Sequence, residues 1–173
     1  MTIDDVKAAI RDVPDFPIPG IVFKDITPIL SDPGLFRAAC EPMIAKAKEV
    51  GATHVAGIES RGFFFSTLLS QELGLGMIPV RKKGKLPYTT IEESYALEYG
   101  EATLEVHTDA APKGAKVMIV DDLLATGGTA AATIKLIEKL GGVVVNISFL
   151  VELSFLNGRD KLGSVDVLAP IVY

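Results

Sequence analysis

A run of apolar residues that ends in two adjacent acids constrains the fold of this chain more than any other feature. Residues 117–120 (Val-Met-Ile-Val) precede Asp121 and Asp122, and a turn rich in Gly and Thr follows. A continuous apolar run bounded by turn residues indicates a buried parallel strand. Residues 130–140 have apolar side chains at helical spacing and precede a Gly-Gly pair, which predicts a helix. The sequence therefore predicts a strand, a tight turn and a helix in direct succession.

The predicted turn, residues 123–129, is suited to a phosphate. The first N–H groups of a helix have no partner within the helix, and the helix dipole is positive at that end. The two acids would repel a phosphate, so ribose hydroxyls, a metal ion or both fit them better. The turn has no Lys after its glycines, as a Walker loop requires, and the adjacent Gly127 and Gly128 lack dinucleotide-fingerprint spacing. We therefore expect a sugar phosphate as the ligand. An ordinary glycine-turn connection is the alternative, but it leaves the paired acids without a packing role.

Size and composition fit a one-domain enzyme with a sizeable core. The chain has 173 residues, of which 49% are hydrophobic, and a net charge of −5, which argues against a general nucleic-acid binder. A single cysteine, Cys40, excludes an intramolecular disulfide and favours a reducing compartment. Residues 1–5 are acidic where a signal peptide is basic, and the longest apolar stretch, residues 143–151, is too short to span a membrane. We expect a cytoplasmic protein without a membrane partner.

Helices and strands are predicted to alternate along the chain. The predicted helices cover residues 6–13, 33–50, 62–73, 130–140 and 158–162. The predicted strands cover residues 53–58, 77–81, 94–99, 102–107, 117–120, 143–151 and 165–168. The strands at 94–99 and 102–107 flank a Gly-Glu pair and form a predicted hairpin. This alternation predicts an α/β fold with a mainly parallel, twisted sheet flanked by helices. The polar residues 84–94 predict a mobile loop that closes over the site.

Two groups of basic residues lie where such a sheet binds ligands. Arg61 follows a predicted strand, and its planar guanidinium is suited to a charged oxygen group. Residues 81–85 contain four cations, which would neutralise a pyrophosphate next to the sugar-phosphate site. The alternatives are an arginine that caps a helix on the surface and a solvated loop. His54 and His107 share no metal-ligand spacing with each other or with Cys40, so we expect all three to be structural.

Further segments carry a family resemblance together with residues 117–129. They are residues 14–17 (Pro-Asp-Phe-Pro), 20–26, 59–63, 81–87 and 94–100. The thirteen residues 117–129 resemble the PRPP (5-phosphoribosyl 1-pyrophosphate) signature of type I phosphoribosyltransferases, and the combination resembles the adenine phosphoribosyltransferases. The resemblance runs from about Phe16 to Glu152. It implies the type I phosphoribosyltransferase fold in a single domain, residues 1–173. In it, residues 1–32 would form an N-terminal hood that binds the base, and residues 33–173 the PRPP-binding core with the hairpin and flexible loop over the site.

The activity implied by the resemblance is purine salvage. Adenine and PRPP would give AMP and pyrophosphate through an oxocarbenium-like transition state, with Mg²⁺ bound through PRPP rather than in a protein cage. The resemblance also implies a homodimer. Two other hypotheses remain: the same chemistry on hypoxanthine, guanine or xanthine, and a regulator that senses PRPP without catalysis. Such a regulator needs a nucleic-acid surface, and the sequence shows no helix-turn-helix segment, so we expect no nucleic-acid partner.

The resemblance implies roles for individual residues. The catalytic set is Glu98 as acid and base, Arg61, Asp121 and Asp122. The set that binds PRPP and AMP is Ser60, Arg81, Lys82, Lys85, Tyr99, Asp121, Asp122, Ala125, Thr126, Gly127, Gly128 and Thr129. The set that binds adenine is Val22, Phe23, Lys24 and Leu123. An unusual peptide geometry is implied between Glu59 and Ser60. Lys24 and Glu59 stand where relatives often have Arg and Asp.

Overall fold

The computed structural model describes residues 1–97 and 100–173, which form two compact units, Met1–Pro42 and Met43–Tyr173. The first unit contains α1 (Ile3–Ala9), β1 (Arg11–Pro14), β2 (Val22–Asp25) and α2 (Thr27–Ser31). Helix α3 (Pro33–Glu49) begins in this unit. Its start is as predicted, because the Asp32 carboxylate accepts hydrogen bonds from the N–H groups of Gly34 and Leu35 at 2.8 and 2.9 Å.

The first unit differs from the prediction after residue 9. The helix predicted over residues 6–13 ends at Ala9, and β1 and β2 pair as an antiparallel hairpin with Arg11 opposite Asp25. Proline explains part of the difference, since Pro14 disfavours helical geometry at the residue before it. The Phe16–Pro17 peptide in the hairpin connection is cis. Cys40 lies buried in α3, and burial raises the pKa of its thiol to about 12, in agreement with the structural role predicted for it.

The second unit is a mainly parallel sheet flanked by helices, which confirms the predicted fold class. Its strands are β3 (His54–Ile58), β4 (Gly76–Lys82), β5 (Thr90–Ala96), β6 (Glu101–His107), β7 (Lys116–Leu124), β8 (Val143–Glu152), β9 (Val167–Leu168) and β10 (Ile171–Val172). The sheet order is β10-β8-β7-β3-β4-β6-β5, and β9 also pairs with β8. The helices are α4 (Gly62–Leu73), α5 (Gly128–Lys139) and the 3-10 helices Ser154–Leu156 and Gly158–Lys161.

Strand β7 occupies the centre of this sheet, paired in parallel with β3 on one side and β8 on the other. Its residues 117–120 are fully buried. Because both faces of this strand are covered, its sequence is continuously apolar and does not alternate between apolar and polar residues. Each side chain of this kind stabilises the fold by about 1.5–3 kcal/mol through burial. The strand continues past the acids to Leu124, because Leu123 and Leu124 still pair with Val151 and Glu152. Asp121 and Asp122 are therefore held in sheet geometry rather than in a loop.

The hairpin of β5 and β6 is confirmed, with Tyr95 opposite Ala102 and Ala96 opposite Glu101. Its first strand begins at Thr90, four residues earlier than predicted, so residues 90–94 belong to the sheet and not to the loop expected over residues 84–94. Alternation over residues 90–96 is weak because both faces carry polar groups. Strand β10 was not predicted, and β9 covers only Val167–Leu168 of the strand predicted over residues 165–168.

Among residues 1–97 and 100–173, no helix combines the length and the apolar character needed to cross a bilayer.

Candidate active site

A cavity of about 240 Å³ opens at the carboxyl ends of β3, β4 and β7. It brings together most of the residues predicted to bind a sugar phosphate. The predicted PRPP-binding residues in its lining are Lys82, Asp121, Asp122, Ala125, Thr126, Gly127, Gly128 and Thr129, and they are joined by the predicted catalytic residue Arg61 and the predicted adenine-binding residue Leu123. It also contains Glu59, Tyr95, Leu104, Leu124, Ala130 and Phe149. The carboxyl ends of parallel strands are where open α/β sheets bind ligands, so this cavity is the candidate active site.

Arg61 and Asp122 form an ion pair between the β3–α4 connection and β7. The Asp122 side chain is 4% exposed, while Arg61 is 42% exposed and reaches into the cavity. Gly62 allows the close approach of these elements, because a Cβ at this position would lie 2.6 Å from the carbonyl oxygen of Val120. The sequence Ser-Arg-Gly therefore places a cation directly against the second acid of β7.

Of the two adjacent acids on β7, Asp121 has the less favourable electrostatic environment. Burial raises its pKa well above the usual range, and the adjacent Asp122 carboxyl raises it further, against a smaller opposing effect of Arg61. The main-chain N–H of Asp122 donates to Asp121 Oδ1 at 2.9 Å and favours the charged form. A carboxylate in this position gains most from a ligand that brings hydroxyl donors or a cation.

The turn after β7 is shaped by contact with the 3-10 helix Gly158–Lys161. Gly127, at φ +81°, precedes α5, and a Cβ on it would lie 2.2 Å from the carbonyl oxygen of Gly158. A Cβ on Gly158 would in turn lie 2.3 Å from the carbonyl oxygen of Ala125. Among the described residues no side chain caps α5, so its first N–H groups face the cavity without an intrahelical partner. This is the arrangement that binds a phosphate.

The basic side of the site is organised by Glu59. Its carboxylate accepts hydrogen bonds from Arg81 Nη2 at 3.0 Å and from the main-chain N–H of Lys82 at 3.0 Å. Burial alone would raise the pKa of Glu59, but these hydrogen bonds and the nearby cations lower it. Arg81 also donates to the carbonyl oxygen of Lys85 at 3.1 Å. Lys82 lines the cavity, whereas Arg81, Lys85 and Ser60 are not among its lining residues. The Glu59–Ser60 peptide is cis, as the resemblance implied.

The residues predicted to bind adenine are divided between the two units. Leu123 lines the cavity of the second unit. In the first unit, Phe23 lines a separate pocket of about 250 Å³ with Val13, Phe16 and Asp25. The rings of Phe16 and Phe23 meet edge to face with centroids 5.2 Å apart.

Val22 and Lys24 lie beside Phe23 on β2. Val22 is exposed, and Lys24 Nζ contacts Asp12 Oδ1 at 2.6 Å. The roles predicted for Glu98 and Tyr99 concern residues that lie outside those the structure describes. The resemblance implies that Mg²⁺ binds through PRPP and that protein side chains alone form no metal site. Residues 1–97 and 100–173 contain no group of three or more His, Cys, Asp or Glu that could hold a metal ion.

Sequence reasoning missed three contacts at or next to this site. The Tyr95 hydroxyl lies 3.0 Å from Thr129 Oγ1, and Glu105, which is buried, accepts the main-chain N–H groups of Lys85 and Leu86 at 2.9 and 2.8 Å. These hydrogen bonds outweigh the effect of burial and lower the pKa of Glu105. No sequence signal paired Glu105 with the loop. The contact of Gly158 with the turn was also missed.

We expect Gly127→Ala to destabilise the protein by more than 2 kcal/mol. The left-handed backbone alone costs a residue with a Cβ about 1–2 kcal/mol, and the contact with Gly158 adds to this cost. Gly114→Ala is the matched control, because Gly114 has a similar φ of +78° and nothing within 4 Å of an added Cβ. Urea unfolding measures both variants. Equal losses would show that the contact with Gly158 is unimportant.

We expect Asp121→Asn to stabilise the protein relative to the parent more at about pH 7 than at about pH 4. The native pKa of Asp121 lies above its unfolded value, so the native state binds the proton more tightly and stability falls as pH rises through this window. Asn keeps the acceptor for the Asp122 N–H and removes the charge. Denaturant unfolding at several pH values measures the difference, with the exposed Asp109→Asn as control. A pH-independent difference for Asp121→Asn would contradict the raised pKa.

Comparison with known proteins agrees with this geometry. The family model of the phosphoribosyl transferase domain matches residues 35–162. The adenine phosphoribosyltransferase of Christiangramia forsetii is 53% identical over 98% of this chain and 99% of its own length. The crystal structure of the Rhodothermus marinus enzyme is 52% identical, with a TM-score of 0.94 over 99% of this chain and 98% of that one. The Saccharomyces cerevisiae enzyme, solved with D-2,5-dideoxy-2,5-imino-altritol 1,6-bisphosphate and adenine, is 40% identical, with a TM-score of 0.92 over 96% and 97% of the two chains. The chain belongs to the adenine phosphoribosyltransferase family.

Proposed function

We propose that the protein converts adenine and PRPP to AMP and pyrophosphate, a purine salvage step. One observation carries the proposal: a single cavity contains the uncapped start of α5, the acids Asp121 and Asp122, and the cations Arg61 and Lys82. These are the groups that a phosphate, a ribose and a pyrophosphate each require. The family relationship supplies the base, adenine.

The 5′-phosphate binds at the turn formed by residues 125–129. Free N–H groups and the positive end of the α5 dipole attract it, and the Thr126 and Thr129 hydroxyls can add hydrogen bonds. Because Gly127 is held by its contact with Gly158, the donors are in place before the ligand arrives. This binding fixes the ribose ring relative to the sheet.

Asp121 and Asp122 hold the ribose hydroxyls and offset positive charge at C1′ as the bond to pyrophosphate breaks. Asp122 is oriented by its ion pair with Arg61, while Asp121 lies half-buried beside it and is stabilised by ligand donors. The two acids therefore favour an oxocarbenium-like transition state, in which positive charge develops at C1′, over the ground state, in which C1′ carries no charge.

Pyrophosphate leaves toward the basic side of the site. Arg61 and Lys82 line the cavity and neutralise the leaving group, with Ser60 contributing its main chain or hydroxyl. Mg²⁺ fits as a partner of PRPP, because the acids of β7 offer carboxylate oxygens but no complete protein cage exists among the described residues. When bound with PRPP, the ion neutralises charge on the leaving pyrophosphate.

Arg81 and Lys85 are further proposed pyrophosphate ligands. Both are absent from the lining of the cavity in their own chain, and Arg81 is paired with Glu59. This placement supports the homodimer that we propose for the protein, in which the loop after β4 contributes to pyrophosphate binding across the interface. We propose a cytoplasmic location for the same enzyme.

Residues 16–26 of the proposed hood supply the base pocket. We assign Phe23 to stacking on the purine, Val22 to its apolar contacts and backbone readout, Lys24 to its edge and Leu123 to the side near the ribose. Glu98 handles the purine proton as N9 attacks C1′, and Tyr99 packs near the ligand. We further propose the division of the single domain into a hood, residues 1–32, and a core, residues 33–173.

The direct test is AMP formation from PRPP, Mg²⁺ and adenine, with hypoxanthine and guanine in parallel reactions. We expect AMP from adenine and no nucleotide from the two oxopurines. Nucleotide from an oxopurine would keep the transfer chemistry and overturn the assignment of the base. PRPP binding without any product would instead favour a sensor that lacks catalysis.

We expect Asp122→Asn to lower kcat/KM by about 10²-fold or more, because it removes the charge that holds the ribose and pairs with Arg61. Steady-state assays with varied PRPP measure the effect. Asp109→Asn, which removes an exposed carboxylate, serves as control and should retain parental kinetics. Unchanged turnover and PRPP affinity in Asp122→Asn would refute the role given to this residue.

A further inference from the structure

Tyr95 connects the hairpin to the turn that binds the phosphate. Its hydroxyl lies 3.0 Å from Thr129 Oγ1, and it lines the cavity. Its ring lies against Gly128, since a Cβ built there would be 2.9 Å from Tyr95 Cδ2. Tyr95 therefore contacts two successive residues at the start of α5.

The face of β5 that carries Tyr95 is held against α5 by charge. Glu93, two residues earlier on the same face, pairs with Lys135 at 3.0 Å and Lys139 at 2.7 Å. Lys139 Nζ also donates to the carbonyl oxygen of Glu92 at 2.8 Å. Because side chains alternate along a strand, these contacts hold Glu93 and Tyr95 toward the helix together. The position of the Tyr95 hydroxyl is thus fixed from outside the cavity.

The hydroxyl of Thr129 has one proton to donate. In the absence of a ligand, either Tyr95 or Thr129 can be the donor between them. A phosphate dianion offers acceptors only, so Thr129 must direct its proton to the phosphate and accept a hydrogen bond from elsewhere. Tyr95 Oη is placed to donate that bond. A chain from Tyr95 through Thr129 to the phosphate strengthens each member because each donor is polarised by the next.

The neighbouring Thr133 does not compete for this role. Its hydroxyl donates to the main-chain oxygen of Thr129 at 2.9 Å and not to the Thr129 side chain. A ring that only filled space would need no hydroxyl at this place, and phenylalanine would serve equally well.

We propose that Tyr95 is a positioning residue that orients the Thr129 hydroxyl toward the 5′-phosphate of the ligand. The inference rests on the proposed function in one respect, namely that the turn at residues 125–129 binds a sugar phosphate. Tyr95 itself does not contact the reacting atoms.

Calorimetric titration with ribose 5-phosphate, and separately with Mg²⁺-pyrophosphate, tests the role in Tyr95→Phe. We expect the Kd of ribose 5-phosphate to rise about three- to tenfold, because one hydrogen bond to the chain is lost while the ring remains. The Kd of Mg²⁺-pyrophosphate should stay at the parental value, since that ligand binds at the basic side. Tyr173→Phe removes the same atom at the end of the chain and should change neither constant.

A second variant separates positioning from general damage to the fold. Thr129→Val should itself weaken ribose 5-phosphate, and adding Tyr95→Phe to it should cause no further loss, because the receiving hydroxyl is gone. In steady-state assays Tyr95→Phe should raise the KM for PRPP by a similar factor and leave kcat unchanged. An unchanged Kd, equal losses for both ligands, or additive losses in the double variant would overturn the inference.

Failure of the inference and failure of the proposed function give different results. Selective loss of ribose 5-phosphate binding in a protein that makes no AMP would support the role of Tyr95 and refute the adenine reaction. AMP formation by the parental protein, together with an unchanged Kd of ribose 5-phosphate in Tyr95→Phe, would support the adenine reaction and refute the role of Tyr95. A parental protein that makes AMP but does not bind ribose 5-phosphate would refute the role of Tyr95 and leave the proposed function standing.

Discussion

The ion pair of Arg61 and Asp122 is the interaction on which the site depends. Arg61 lies in the connection after β3, and Asp122 lies on β7. The ion pair therefore joins two neighbouring parallel strands of the sheet. Burying a carboxylate costs free energy unless a partner compensates it, and Arg61 compensates Asp122 but acts only weakly on Asp121. The sheet therefore holds one satisfied acid and one that is stabilised mainly by what binds next to it. Such an arrangement is unfavourable for an empty fold and suited to a site that receives hydroxyl groups.

Glycine contacts give the site its rigidity. Gly62 lets α4 start against β7, and Gly127 and Gly158 bring the turn and a 3-10 helix into main-chain contact. The bidentate pair of Arg159 and Glu152, with distances of 2.6–2.9 Å, anchors that 3-10 helix to the end of β8. The 3-10 helix supports the turn through the close approach of Gly158 to Gly127 and Ala125. A turn held in this way can present N–H groups to a phosphate with little loss of conformational entropy on binding.

The sequence predicted the parts of the structure that are encoded locally. The apolar run at residues 117–120, the acids after it and the helix that follows are read from consecutive residues, and residues 62–73 form the predicted helix within the described chain. The hairpin of β1 and β2 was missed because Pro-rich segments carry no strand period. The contacts of Tyr95, Glu105 and Gly158 join residues at least nineteen positions apart, and no local pattern specifies such pairs. The roles of Glu98 and Tyr99 stay predictions from family resemblance.

The two sides of the turn at residues 125–129 are supported differently, and this difference has a consequence for binding. Gly158 of the 3-10 helix fixes the main chain of the turn through close contact with Gly127. From β5, the Tyr95 hydroxyl forms a hydrogen bond with the Thr129 hydroxyl in which either group can be the donor. Main-chain geometry is thus set before binding, and the hydroxyl proton is set by the ligand. A dianion selects the arrangement in which every donor points at it, so the last step of organisation requires no movement of the backbone. The β5–α5 ion pairs keep Tyr95 in place for that step, which makes Glu93, Lys135 and Lys139 part of the support of the site although they lie outside its cavity.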